Sequence, residues 1–103
     1  MGLVVHKRDP HDVYIGRPSK WGNPFSHKER TLAEYQVKTR KEAVAAYRIW
    51  LWKRIKSGEV TLQELDELYG KVLGCWCAPK ECHGDVLVKA AEWAHNELEK
   101  QNG

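Results

Sequence analysis

Three cysteines and a histidine crowd into one short stretch of this chain, Gly74-Cys75-Trp76-Cys77-Ala78-Pro79-Lys80-Glu81-Cys82-His83-Gly84, and no other cysteine occurs. Three thiols and one imidazole make a complete tetrahedral zinc set. In a strand, residues two apart share a face, so Cys75 and Cys77 would point together with Trp76 on the other side. Ala78-Pro79-Lys80-Glu81 then forces a turn, and Cys82 and His83 stand at the start of a helix. Zinc held by Cys75, Cys77, Cys82 and His83 would staple strand end to helix start. The spacing C-x-C-x4-C-H is not the common paired C-x-x-C pattern. Adjacent Cys82 and His83 must also splay to share one ion, so His6, His11, His27 or a water is an alternative to His83. Two other readings fit the same residues. A thiol at a helix N-terminus beside an imidazole gains thiolate character, which would make Cys82 the nucleophile of a Cys82-dependent enzyme. Three cysteines can also simply pack as small hydrophobes.

A second stretch carries chemistry, Gly16-Arg17-Pro18-Ser19-Lys20-Trp21-Gly22-Asn23-Pro24-Phe25. Arg17 leaves a strand end, where a guanidinium can grip phosphate or carboxylate at two points. Ser19 adds a hydroxyl and Lys20 a point charge. Trp21 offers a flat face for a nucleobase. Gly22 lets backbone approach a ligand closely, and Asn23 can read a base edge. Together they resemble a binding site for a nucleotide-like anion. The plainer alternative is turn chemistry, with Trp21 and Phe25 plugging a sheet edge.

The elements that would position these residues follow from pattern. Leu3-Val4-Val5 and Val13-Tyr14-Ile15 read as short strands, and Arg17 to about Lys38 as a long loop. Thr39-Arg40-Lys41-Glu42 is a capping box, predicting a helix to about Ser57 with Val44, Tyr47, Leu51 and Ile55 as its buried stripe and Gly58 as its stop. Thr61-Leu62-Gln63-Glu64 caps a second, short helix that Gly70 ends. Lys71 to Cys77 reads as a strand, and a last helix runs from Gly84 or Asp85 to about Glu99 on Leu87, Ala90, Ala91, Ala94 and Leu98. Trp50 and Trp52 read as core or flank packing, Trp93 as a packed aromatic and His95 as a solvated imidazole. The order predicts an α/β fold: a small three-layer or two-layer domain with a short, mostly parallel sheet and about three helices. If the strands around Tyr14 and Val72 are parallel, the loops after both leave one sheet edge, where open α/β sheets bind ligands. The Arg17–Phe25 loop and the Cys75–His83 corner would then share a crevice.

Size and composition bound the rest. The chain has 103 residues, enough for one domain, 1–103. Five tryptophans are many for this length, and a domain so small gains from large aromatics or a metal. Lysine and arginine exceed aspartate and glutamate by three, 17 against 14, a mild excess that permits a phosphate-bearing partner without demanding nucleic acid. The basic helix around Arg40, Lys41, Arg48, Lys53, Arg54 and Lys56 reads as a solvated face that can at most assist phosphate binding. No apolar run approaches the roughly 20 residues of a membrane helix, and Met1 to Asp9 lacks a secretion signal. An odd cysteine count makes no complete disulfide framework, so a reducing cytoplasm is expected.

The two motifs, with Val13-Tyr14-Ile15 before the first and Asp85-Val86-Leu87 after the second, resemble a family of small phage and bacterial proteins catalogued as domain of unknown function 4326. The resemblance runs from about Val4 to Trp93. It implies a cytoplasmic, stand-alone domain encoded by a phage or prophage. It also implies that Arg17, Trp21, Asn23, Cys75, Cys77, Cys82 and His83 are the residues that matter, without assigning them roles. The leading expectation is therefore a domain that binds a nucleotide-like ligand through Arg17, Ser19, Lys20, Trp21 and Asn23 opposite a zinc-held corner, either sequestering or processing it. Asp85, Glu81 and His83 are the only nearby candidates for a general base. The alternatives are a zinc-stabilised nucleic-acid-binding module, a Cys82-dependent enzyme and a protein-interaction domain.

Overall fold

The structure, a computed structural model, describes residues 3–17, 19–26, 35–36, 39–76 and 82–102. Their order is β1 (Leu3–His6), β2 (Val13–Tyr14), β3 (Phe25–Ser26), β4 (Tyr35–Gln36), α1 (Arg40–Ser57), α2 (Leu62–Asp66), β5 (Val72–Cys75) and α3 (Gly84–Asn102). The main sheet is β1-β5-β2, with β5 parallel to both neighbours. This is the expected α/β fold of three helices on a short parallel sheet. The loop after Arg17 also contributes β3 and β4, a separate parallel pair that the sequence reading left inside the loop.

β5 lies between two strands that precede it by some sixty residues. Val4 and Val13 both stand opposite Leu73, and Val5 and Tyr14 opposite Gly74. Side chains alternate along a strand. Leu73 and Cys75 accordingly enter the core, and Gly74 between them faces the other way. The short return from β1 to β2 runs back along β5, with the Lys7 N–H bonded to the Cys75 carbonyl and the Asp12 N–H to the Val72 carbonyl. It passes over Gly74, where a Cβ would stand 2.6 Å from Cγ of His11.

α1 begins where Thr39 accepts the Glu42 N–H and ends at Gly58, whose φ of +88° suits a residue without Cβ. Its buried residues are Ala43, Tyr47 and Leu51, while Ile55 is only partly covered. α2 opens with a complete capping box: Thr61 accepts the Glu64 N–H, and the Glu64 carboxylate accepts the Thr61 N–H. Thr61→Ala should therefore lower stability by about 1 kcal/mol, a fall of some 4–8 °C in Tm for a domain of this size. Thermal unfolding checks this, and an unchanged Tm would mean the box holds nothing.

α3 buries Leu87, Ala90, Ala91 and Ala94. Its alanines bring the helix close against its neighbours, so α2 and α3 share one apolar interior with Leu65 and Leu68. His95 is not the solvated imidazole expected. Its ring stacks on Tyr69 at 3.9 Å, with Nδ1 2.9 Å from Asp66 and Nε2 3.0 Å from Glu99. Trp93 meets Trp52 edge-on at 4.8 Å, and Trp50 and Trp52 flank the core. Among the described residues no helix is long and apolar enough to cross a membrane.

Candidate functional site

Because β2 and β5 are parallel, the segments that follow them leave the sheet on one edge, and there they touch. The His83 Nε2 lies 2.8 Å from the carbonyl oxygen of Ile15, the last residue before the Arg17 loop. A carbonyl only accepts, so Nε2 carries a hydrogen. Nδ1 lies 3.6 Å from Cys82 Sγ, which also accepts the Gly84 N–H at 3.4 Å in the first turn of α3. Cys75 arrives from the end of β5, its sulfur 2.7 Å from that of Cys82. The group is deeply covered: Cys75 is 1% exposed, Cys82 2% and His83 6%.

Tyr47 of α1 closes the group from the helix side. Its ring lies 4.8 Å from that of His83, and its hydroxyl donates to the Trp21 carbonyl at 2.9 Å. Burial, only partly offset by Arg54, pushes the Tyr47 hydroxyl far above the usual phenol range. It therefore stays protonated, and a donor, at neutral pH. Cysteine corner, His83, Tyr47 and the Trp21 backbone thus form one continuous chain of contacts.

Of the four expected zinc ligands, Cys75, Cys82 and His83 are brought together, and Cys77 lies outside the described residues. His27, one of the alternatives, lies outside them too. Among the described residues no set of three His, Cys, Asp or Glu side chains has the disposition of a metal-ion site.

The Arg17 loop directs much of its polar chemistry inward. Arg17 Nη1 donates to the Asn23 carbonyl at 2.9 Å, and the Asn23 amide donates to the Ala43 carbonyl at 3.1 Å, fixing the loop to α1. Trp21, expected to offer a stacking face, is 8% exposed and belongs to the core. The Lys20 ammonium pairs with Glu64 and lies 5.2 Å from the Trp21 ring. Ser19 Oγ is buried with no hydrogen-bond partner among the described residues. Gly22 sits where a Cβ would stand 3.0 Å from the Arg17 backbone, so the loop closes tightly on itself.

The residue that sequence reasoning passed over is Trp76. It follows Cys75, lies 60% exposed, and is nonetheless fixed. Its Nε1 donates to the Tyr14 hydroxyl at 2.9 Å, and that hydroxyl donates to the Arg17 carbonyl at 2.9 Å. The Lys7 ammonium stands 3.8 Å from the centre of the indole, and His6 meets it edge-on at 5.9 Å. Strand alternation had already separated Trp76 from the cysteines, which is the signal that marks it as outward-facing.

The family model described as "Domain of unknown function (DUF4326)" matches residues 4–93, a span that includes both the Arg17 loop and the cysteine corner. Two curated relatives share the sequence. An "Uncharacterized 12.4 kDa protein in nrdA-td intergenic region" of Enterobacteria phage T4 is 39% identical over 86 residues, covering 82% of this chain and 72% of that protein. "Uncharacterized protein R718" of Acanthamoeba polyphaga mimivirus is 31% identical over 96 residues, covering 76% of this chain and 65% of that protein. No solved structure matches. With nine-tenths of its length inside the family match, the chain belongs to the family described as domain of unknown function 4326.

Proposed function

We propose that the protein binds a nucleotide-like, phosphate-bearing ligand at the rim where the loop after β2 meets the corner after β5. The observation that carries this is an exposed indole held in place before any ligand arrives: Trp76 bonded to Tyr14, and Tyr14 to Arg17. Ordering a side chain in advance reduces the entropic cost of binding, and a base stacked on an aromatic ring contributes about 1–3 kcal/mol. Lys7 beside that ring supplies positive charge for phosphate, and the Arg17 guanidinium, one of whose N–H groups is held by the Asn23 carbonyl, adds to it at the loop entrance. In this reading Trp76 replaces Trp21 as the stacking residue, and Trp21 and Asn23 frame the loop.

Sequestration suits the arrangement better than turnover. His83 turns Nε2 to the Ile15 carbonyl and Nδ1 to Cys82 sulfur, so neither nitrogen is directed at a ligand on the rim. Calorimetric titration with nucleoside mono-, di- and triphosphates tests the reading. Trp76→Ala should weaken binding about ten- to hundred-fold, the equivalent of losing one stacked base. Absence of nucleotide binding, or a Trp76→Ala protein that binds like the parent, would end it. Binding to single-stranded nucleic acid alone, falling steeply with salt, would favour the nucleic-acid module instead.

A further inference from the structure

Among the described residues the Lys7 ammonium has no carboxylate partner. It lies instead against aromatic rings, 3.8 Å from the centre of the Trp76 indole and 5.8 Å from that of Tyr14. Its root is fixed, because the Lys7 N–H bonds to the carbonyl of Cys75, the residue before Trp76. The lysine of the Arg17 loop is committed elsewhere, Lys20 to Glu64. A base stacking on that face of Trp76 therefore meets an ammonium already there. We infer that Lys7 is a displaceable stand-in for the ligand: it covers the indole in the free protein, moves to the phosphate when a nucleotide binds, and so makes the rim select nucleotides over nucleosides. The inference rests on the reading of this rim as a nucleotide site and adds a rule of selection to it.

Magnitudes set the direction of the exchange. An exposed aromatic face favours an ammonium by about two- to five-fold. A hydrogen bond to a charged group strengthens an interaction by about ten- to hundred-fold. Phosphate therefore draws the ammonium off the ring, and the ring is released for the base. A nucleoside offers no such exchange: its base must displace Lys7 and leaves that cation only water. The geometry permits the movement. Lys7 is exposed, so no packed side chain has to give way, and its flexible stem can swing while the anchored backbone stays. The covered face also borders the Arg17 loop, because the ammonium lies near Tyr14 and the Tyr14 hydroxyl donates to the Arg17 carbonyl.

The test titrates the full chain calorimetrically with the common ribonucleosides and with their 5′-monophosphates, at fixed ionic strength. Lys7→Ala should bind nucleosides about two- to five-fold more tightly than the wild type. It should bind monophosphates about five-fold or more weakly, the lost phosphate contact outweighing the displacement avoided. A cation that merely stands near the site would not give these opposite signs. Lys7→Arg, which keeps the charge and stacks on indole, should restore the wild-type order. A measurement on the wild type needs no variant: the indole ring current should shift the Lys7 methylene resonances upfield in the free protein, and added monophosphate should return them toward ordinary lysine values. Two failures are separable. If no nucleotide binds, or Trp76→Ala binds like the parent, the rim reading ends and this inference ends with it. If nucleotides bind through Trp76 but Lys7→Ala gains nothing toward nucleosides, or the Lys7 resonances stay in place on binding, only the inference is overturned.

Discussion

Replacing Tyr47 by alanine should cost about 3–5 kcal/mol, the range for deleting a large buried aromatic. Whole domains are stable by only about 5–15 kcal/mol, so the variant should be largely unfolded in mild denaturant. Tyr47 is fully buried, packs on His83 and Trp50, and donates to the Trp21 carbonyl. Those contacts join α1, the Arg17 loop and the cysteine corner, so the loss should spread through all three. Tyr47→Phe separates the contributions. It keeps the ring and removes only the donor, leaving the Trp21 carbonyl unsatisfied at about 1–3 kcal/mol. Urea unfolding of both variants gives the comparison. A Tyr47→Ala cost under about 1 kcal/mol, below the range for such deletions, would show that this residue does not tie the three segments together.

Gly84→Ala and Gly74→Ala should differ sharply, although both glycines are buried. A Cβ on Gly84 would stand 2.8 Å from Val4 Cγ1 and 3.0 Å from Ile15 Cδ1. Ile15 is fully buried, so the methyl can be fitted only by lifting the start of α3 from the sheet. Overpacking of this kind costs about 1–3 kcal/mol, and the displacement would also move His83 and Cys82. A Cβ on Gly74 meets the His11 ring, but His11 is exposed and can rotate away. Its replacement should cost under about 1 kcal/mol, below the overpacking range, because the clash falls on an exposed side chain. Equal costs for the two would contradict the tight seating of α3 on β1 and β2.

Local signals led to the local structure. Thr39 and Thr61 cap helices where their hydroxyls and the glutamates three residues on said they would. Gly58 ends α1, and Leu87 with its alanines marks the buried face of α3. The parallel relation of β2 and β5 followed from the helix between them, and with it the meeting of the two motifs. What stayed hidden was non-local. Two-residue strands such as β3 and β4 carry no period to detect. That β1 lies beside β5, and not beside β2, is a pairing of Leu3–His6 with Val72–Cys75 that no local pattern encodes. The burial of Trp21 and the exposure of Trp76 were hard to read for a similar reason. A loop has no face, so burial of Trp21 depends on Tyr47 and the other core residues around it. Trp76 follows a strand whose alternation was visible, but only its tie to Tyr14 distinguishes a fixed ring from a stray exposed one. His95 read as solvated because its partners Asp66 and Tyr69 lie almost thirty residues earlier, at the end of α2 and in the turn after it.

The central position of β5 also orders events in time. Among the described residues, neither early strand has a neighbour to pair with until residues 72–75 have been made. At about 5–20 residues per second on a ribosome, a nascent chain spends several seconds without its sheet. During that interval Val4, Val5 and Tyr14 are exposed to whatever else can pair with them. The domain is thus committed to folding late, after its own middle strand emerges, and sheet pairings of this sequence separation are the slow kind.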